Sequence, residues 1–141
     1  HDYYRAIMKL ITDKGLESRI TFCGARQDID QIYRLSDIVY NLSTHPEPFG
    51  RTVCEACNVG TKVIAWGIGG PMESLSKIFP EGLVEPGNMD ALVKRTIELV
   101  GRHDLAPIGD LFTSHMTTQK TMACYHRLCH AQQPLQPVSS Q

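Results

Sequence analysis

At 141 residues, the chain is long enough for one domain with a real core and too short for two full ones. Its 42% hydrophobic and 21% charged content is ordinary for a globular protein. A net charge of −1, from 14 basic and 15 acidic residues, argues against a nucleic-acid binder, which would carry a basic excess.

The periodicity alternates helix and strand from end to end. Tyr4, Ile7, Met8 and Ile11 share one face of a helix, and Gly15 is its stop. A β-rich run at 19–23 predicts a strand closed by Gly24, and Asp28 is placed to cap a helix carrying Ile29, Ile32, Tyr33 and Leu35. Runs at 37–42 and 62–66 predict two more strands, both mostly apolar, as expected of strands covered on two faces. Between them a helix is expected over 51–59, ended by Gly60. A glycine-rich turn, a short helix near 72–76 and a brief strand at 83–85 come next. Asn88 then caps a helix through Ala91, Leu92, Ile97 and Leu99, and a last helix is expected over about 108–129. The tail at 132–141, rich in Gln, Pro and Ser, has a disordered composition. This alternation implies parallel pairing through right-handed crossovers, hence a three-layer α/β domain over 1–131.

Five cysteines at irregular spacing fit a reducing cytosol better than a disulfide framework. No apolar run approaches the roughly 20 residues that would span a bilayer. The reading is therefore cytoplasmic, and the start at His1 without a methionine leaves room for a lost targeting segment.

Ligands of open parallel sheets bind beyond the carboxyl ends of the strands, and two loops there stand out. The first runs over 43–50 into the Arg51 helix and contains Glu47, Phe49 and Gly50; the second, over 67–73, contains Gly69, Gly70 and Glu73. Both place backbone N–H groups at a helix start, where the helix dipole favours an anion such as phosphate. Each loop also carries a carboxylate, whose two oxygens can grip adjacent sugar hydroxyls. That combination suits a nucleotide sugar. The competing reading is structural: glycine ends strands everywhere, first-turn glutamates complement dipoles, and Glu55 serves equally as a solvated surface charge.

The stretch Pro46-Glu47-Pro48-Phe49-Gly50-Arg51-Thr52-Val53-Cys54-Glu55-Ala56 resembles the E-x7-E signature of the large retaining glycosyltransferase family of GT-B fold, which includes lipopolysaccharide, capsule and mannosyl transferases. Ile20 to Gly24 is similar to the family's V-x-F-x-G strand, and Tyr33 to Asp37 to its Y-x-x-A-D. Gly60 to Ala65 resembles G-x-P-V-I-A, Gly69 to Glu73 resembles G-G-x-x-E, and Gly82 to Asn88 resembles G-L-L-V-x-P-G-D. The six pieces occur in the family's order over about residues 3–130.

The resemblance implies a Rossmann-like sheet with helices on both faces, the C-terminal half of a GT-B enzyme lacking its first two strands. It implies that Glu55 holds the donor ribose, and that Glu47 lies beside the transferred sugar as the catalytic carboxylate. The amides of Phe49 and Gly50, with Arg51 and Thr52, would meet sugar hydroxyls and diphosphate. Gly69 and Gly70 would let backbone approach the donor, with Glu73 at the edge of the site. No cofactor is implied beyond the nucleoside diphosphate sugar donor, and no metal. The acceptor, a saccharide or lipid-linked hydroxyl, would bind an absent N-terminal domain, and a peripheral role at the inner face of a membrane fits such acceptors.

Two departures stand out: Lys62 replaces the usual proline, and Trp66 stands where the family has a small residue and is placed to reshape the pocket wall. The family's first two strands precede basic residues that clamp the diphosphate, so the chain is expected to be a fragment and by itself no complete catalyst. His45, beside the signature, is a further candidate to line the pocket. Cys54 and Cys57 form a C-x-x-C without a second pair, and read as buried helix cysteines. His126 and His130, beside Cys124 and Cys129, read as a solvated helix end rather than a metal face. The rival enzyme readings are a GT-B nucleotide-sugar epimerase, opposed by the glutamate spacing, and a glycogen-type synthase, opposed by the lack of insertions. The rival of another class is a non-catalytic GT-B-derived binding or structural fragment, favoured by the missing clamp.

Overall fold

The computed structural model describes residues 2–102 and 114–131. The expected start of the last helix near Ile108 and the expected disordered tail from Gln132 lie outside the described residues.

Helix α1 spans Asp2–Asp13 and α2 spans Ile29–Leu35. The sheet is built from β1 (Ile38–Asn41), β2 (Lys62–Trp66) and β3 (Leu83–Val84). Helix α3 (Arg51–Asn58) connects β1 to β2, and α4 (Gly69–Ile78) with a short 3-10 turn (Pro80–Gly82) connects β2 to β3. Helices α5 (Met89–Leu99) and α6 (Ser114–Ala131) follow. All pairing is parallel in the order β1-β2-β3, with Ile38 opposite Lys62 and Ala65 opposite Leu83.

The expected three-layer arrangement is present. Val63, Ile64 and Ala65 are fully buried and Trp66 nearly so, as a central parallel strand covered on both faces requires. Helices α3 and α4 pack against each other through Cys54, whose thiol donates to the Ser74 hydroxyl. Right-handed crossovers put both on one face of the sheet. Helix α5 covers the other, where the Tyr40 and Thr96 hydroxyls meet at 2.9 Å. Val53, Ala56, Leu75 and Leu99 complete the core from the helices, with Phe79 just beyond the end of α4.

Local signals explain several boundaries. The Asn88 side chain accepts from the Ala91 amide and caps α5 as expected. Lys62, in place of proline, sends its ammonium 2.7 Å to the Leu99 carbonyl, a cation satisfying the last turn of α5.

Three expectations need correction. Residues 19–23 form no strand: a strand exists only through its ladder, and nothing among the described residues runs beside this segment. Ile20 and Phe22 are instead exposed, the Phe22 ring meeting Tyr4 edge-on at 5.7 Å. Asp28 sits at the N-cap of α2 without capping it, because Arg26 holds its carboxylate at 2.6 and 2.9 Å. Helix α4 starts at Gly69 rather than near Met72; Pro71 fits there because the N–H that proline lacks has no partner in a first turn.

Candidate functional site

The two loops singled out above meet at the carboxyl end of the sheet, backbone against backbone. The Gly70 amide donates to the Glu47 carbonyl at 2.8 Å. A Cβ on Gly70 would come within 2.6 Å of the Phe49 nitrogen, and one on Gly69 within 2.7 Å of the Glu47 carbonyl oxygen. Gly50 adopts φ 71°, where a side chain is strained, and a Cβ there would lie 2.9 Å from the Pro71 ring. The glycines are therefore what lets the Glu47 loop and the start of α4 interlock. In this structure the backbone that Gly69 and Gly70 approach is that of the first loop, and the Gly70 N–H is already engaged there.

Interlocking brings the N-termini of α3 and α4 side by side. Neither helix has a side-chain N-cap. The Val53 amide is satisfied by the Gly50 carbonyl at 3.0 Å, while the Arg51 and Thr52 amides precede any intrahelical partner. The free donors of this corner belong to α3, because at α4 the Gly70 amide is engaged by the Glu47 carbonyl and Pro71 has no N–H; α4 adds the positive end of its dipole, and together they form an anion-attracting corner. The half-buried Glu47 carboxylate engages no partner among the described residues. The loop ahead of it is braced locally, the Ser43 hydroxyl donating to the His45 carbonyl at 2.9 Å and the Thr44 hydroxyl lying 3.3 Å from His45 Nδ1.

One turn into α3, the Arg51 guanidinium meets Glu55 Oε1 at 3.0 Å. The pair is largely exposed, so it adds at most about 1 kcal/mol to stability, and a ligand hydroxyl can compete for the carboxylate. Burial pushes the Tyr33 phenol up, the Glu55 charge adding to the effect and a hydrogen bond to Thr52 opposing it. Tyr33 is thus the buried neighbour of Thr52 and Glu55, a placement that its position in the Y-x-x-A-D-like piece did not reveal. Glu73 is exposed on α4 and lines a cleft of about 60 Å³ with Pro48, Phe49, Gly70, Ser74 and Lys77. Trp66, expected to reshape the pocket wall, is only 5% exposed and belongs to the core.

Asn41, at the end of β1, received no role from sequence, although it is the polar residue in an otherwise apolar run. It is 9% exposed.

The cysteines divide by burial. Cys54 and Cys57 are buried on α3; Cys23, Cys124 and Cys129 are exposed. Burial pushes the Cys57 thiol up to about 12, with Cys54 adding to it, so it stays protonated and unreactive. A thiol reagent should therefore titrate three cysteines at once in the native protein and the other two only on unfolding. Rapid native labelling of all five would contradict this packing. Its raised pKa means that Cys57 contributes stability at pH below about 9, lost as the pH climbs toward 12. Among the described residues, no three His, Cys, Asp or Glu side chains are placed to share a metal ion, and no helix is long and apolar enough to cross a membrane.

Residues 2–105 match the family model described as glycosyl transferases group 1. The chain is 29% identical over 131 residues to the 2-deoxystreptamine glucosyltransferase of Streptomyces kanamyceticus, covering 84% of this chain and 33% of that protein. It is 30% identical over 104 residues to a probable sucrose-phosphate synthase of Craterostigma plantagineum, covering 70% of this chain and 10% of the relative. Among solved structures it resembles HepE of Anabaena in complex with UDP-glucose, at a TM-score of 0.60 and 35% identity, over 70% of this chain and 29% of that one. A glycosyltransferase from Rickettsia africae superposes with a TM-score of 0.62 at 32% identity, over 70% of this chain and 26% of that one. The chain thus spans about a third or less of the length of these relatives.

Proposed function

The chain belongs to the group 1 glycosyl transferases, and from that premise we propose that it is the donor-binding portion of a retaining enzyme. This enzyme moves a sugar from a nucleoside diphosphate sugar to a hydroxyl acceptor. The observation that carries the reading is the interlocked pair of helix N-termini, flanked by the Glu47 and Glu55 carboxylates. HepE, which shares this fold, binds UDP-glucose in its solved complex, which supports a nucleotide-sugar ligand at the corresponding half.

In this reading the diphosphate sits at the corner where the Arg51 and Thr52 amides and the α4 N-terminus supply fixed positive potential. Glu55 accepts from the ribose hydroxyls. Glu47, free of partners among the described residues, faces the transferred sugar, where its charge orients hydroxyls and eases positive character at the reacting carbon. Among the described residues the side chains around the corner are assigned no general base, which fits a departing diphosphate that takes the acceptor proton. The cleft of about 60 Å³ is far smaller than the roughly 300–1,000 Å³ of a site that encloses a ligand. The chain therefore supplies one wall, and the remainder of a longer protein supplies the other together with the acceptor site. Synthesis of cell-surface polysaccharide or glycolipid in the cytoplasm, with peripheral attachment to the membrane, is the setting that this chemistry suits.

Proton NMR of the first product formed by the full-length protein tests the mechanism. An α-linked donor should give an α-linked product, seen in the small anomeric coupling, and an inverted anomer would remove the retaining assignment.

A further inference from the structure

We propose that Asn41 is a hydrogen-bond donor to the diphosphate of the ligand, a contact that rests on the donor-site reading above. Asn41 ends β1, on the sheet face opposite Tyr40, because successive strand side chains alternate. Tyr40 meets α5, so Asn41 lies on the face that α3 and α4 cover. Helix α3 returns antiparallel to the strands, which brings its first turn over the carboxyl end of β1. Asn41 therefore lies beneath the uncapped N-terminus of α3.

Its side chain is nine-tenths buried yet makes no hydrogen bond to any described residue. Among the described residues no side-chain nitrogen or oxygen is both sealed from solvent and unpaired, so the Asn41 amide remains reachable. At the start of α3, where Gly50 offers no side-chain cap, the Arg51 and Thr52 amides are further donors without an acceptor among the described residues. A set of donors at the positive end of a helix calls for an acceptor-rich anion. The side-chain NH2 of Asn41 completes that set from below, whereas an apolar residue would pack equally well there without serving a ligand.

Asn41→Leu and Asn41→Asp in the full-length protein separate the possibilities. Leucine keeps the volume and removes the donor; aspartate replaces it with a negative charge. Titration with UDP, GDP and ADP identifies the nucleotide bound by the wild type, and the matching nucleoside serves as a phosphate-free control. Asn41→Leu should weaken the diphosphate about 10-fold, and Asn41→Asp should weaken it further, with the nucleoside unaffected. The thermal midpoint of the ligand-free Leu variant should be unchanged or raised, because an unpaired amide is replaced by an apolar group. Unchanged diphosphate affinity in both variants would overturn the proposal while leaving the donor site standing. A lowered midpoint of Asn41→Leu would also overturn it, showing that the amide pairs with protein instead. If the wild type binds no nucleotide at all, the donor-site reading fails first.

Discussion

Replacing Gly70 by alanine should destabilise the protein by about 3 kcal/mol and remove the proposed donor binding with it. The added methyl would lie 2.5 Å from the Phe49 Cα and 2.6 Å from its nitrogen. Both are backbone atoms, so no side-chain rotation relieves the clash. Overpacking usually costs about 1–3 kcal/mol, and a clash with fixed backbone belongs at the upper end. Relief requires the loops to part, which breaks the bond from the Gly70 amide to the Glu47 carbonyl and carries Glu47 away from α4. Gly67→Ala is the matched control, since a Cβ there meets only the Val84 carbonyl at an ordinary 3.6 Å. Urea unfolding of the two variants should show a large loss for the first and a change within about 0.5 kcal/mol for the second. Equal effects would mean that the loops are not locked as described.

Glu55→Ala carries the second large effect, on binding rather than on folding. Its ion pair with Arg51 is largely exposed and contributes little to stability, so the unfolding midpoint should barely move. Hydrogen bonds to a charged partner are worth about 1.5–3 kcal/mol each, so losing the carboxylate proposed to hold the ribose should weaken the nucleotide at least about 10-fold. Folding and binding thus separate at Glu55 and are coupled at Gly70.

Much of this was legible in the sequence because local chemistry and tertiary demand agreed. Lys62 to Trp66 reads as a central strand because a strand covered on both faces must be apolar along its whole length. The Asn88 cap follows from the chemistry of one side chain and the amide of Ala91. The corner between the loops was legible as the glycines and carboxylates at 43–50 and 67–73. Their mutual lock was not, because periodicity says nothing about which backbone a glycine will face. Ile20 to Cys23 shows the limit from the other side: β-favouring residues supply propensity, but a ladder needs a neighbour. Asn41 shows another, since a polar residue in a strand does not reveal its burial or its lack of a partner among the described residues. Lys62 looked like a departure and proved to be a compensation, reaching the end of α5.

The central claim is that the paired N-termini of α3 and α4, with Glu55 beside them, form a nucleotide-sugar donor site. Calorimetric titration of the full-length protein with UDP, GDP and ADP, repeated on Glu55→Ala, tests it most directly. The account predicts saturable binding of one nucleotide, with its affinity reduced at least about 10-fold in the variant. A folded full-length protein that binds none of the three, or binds one equally well without Glu55, would contradict it.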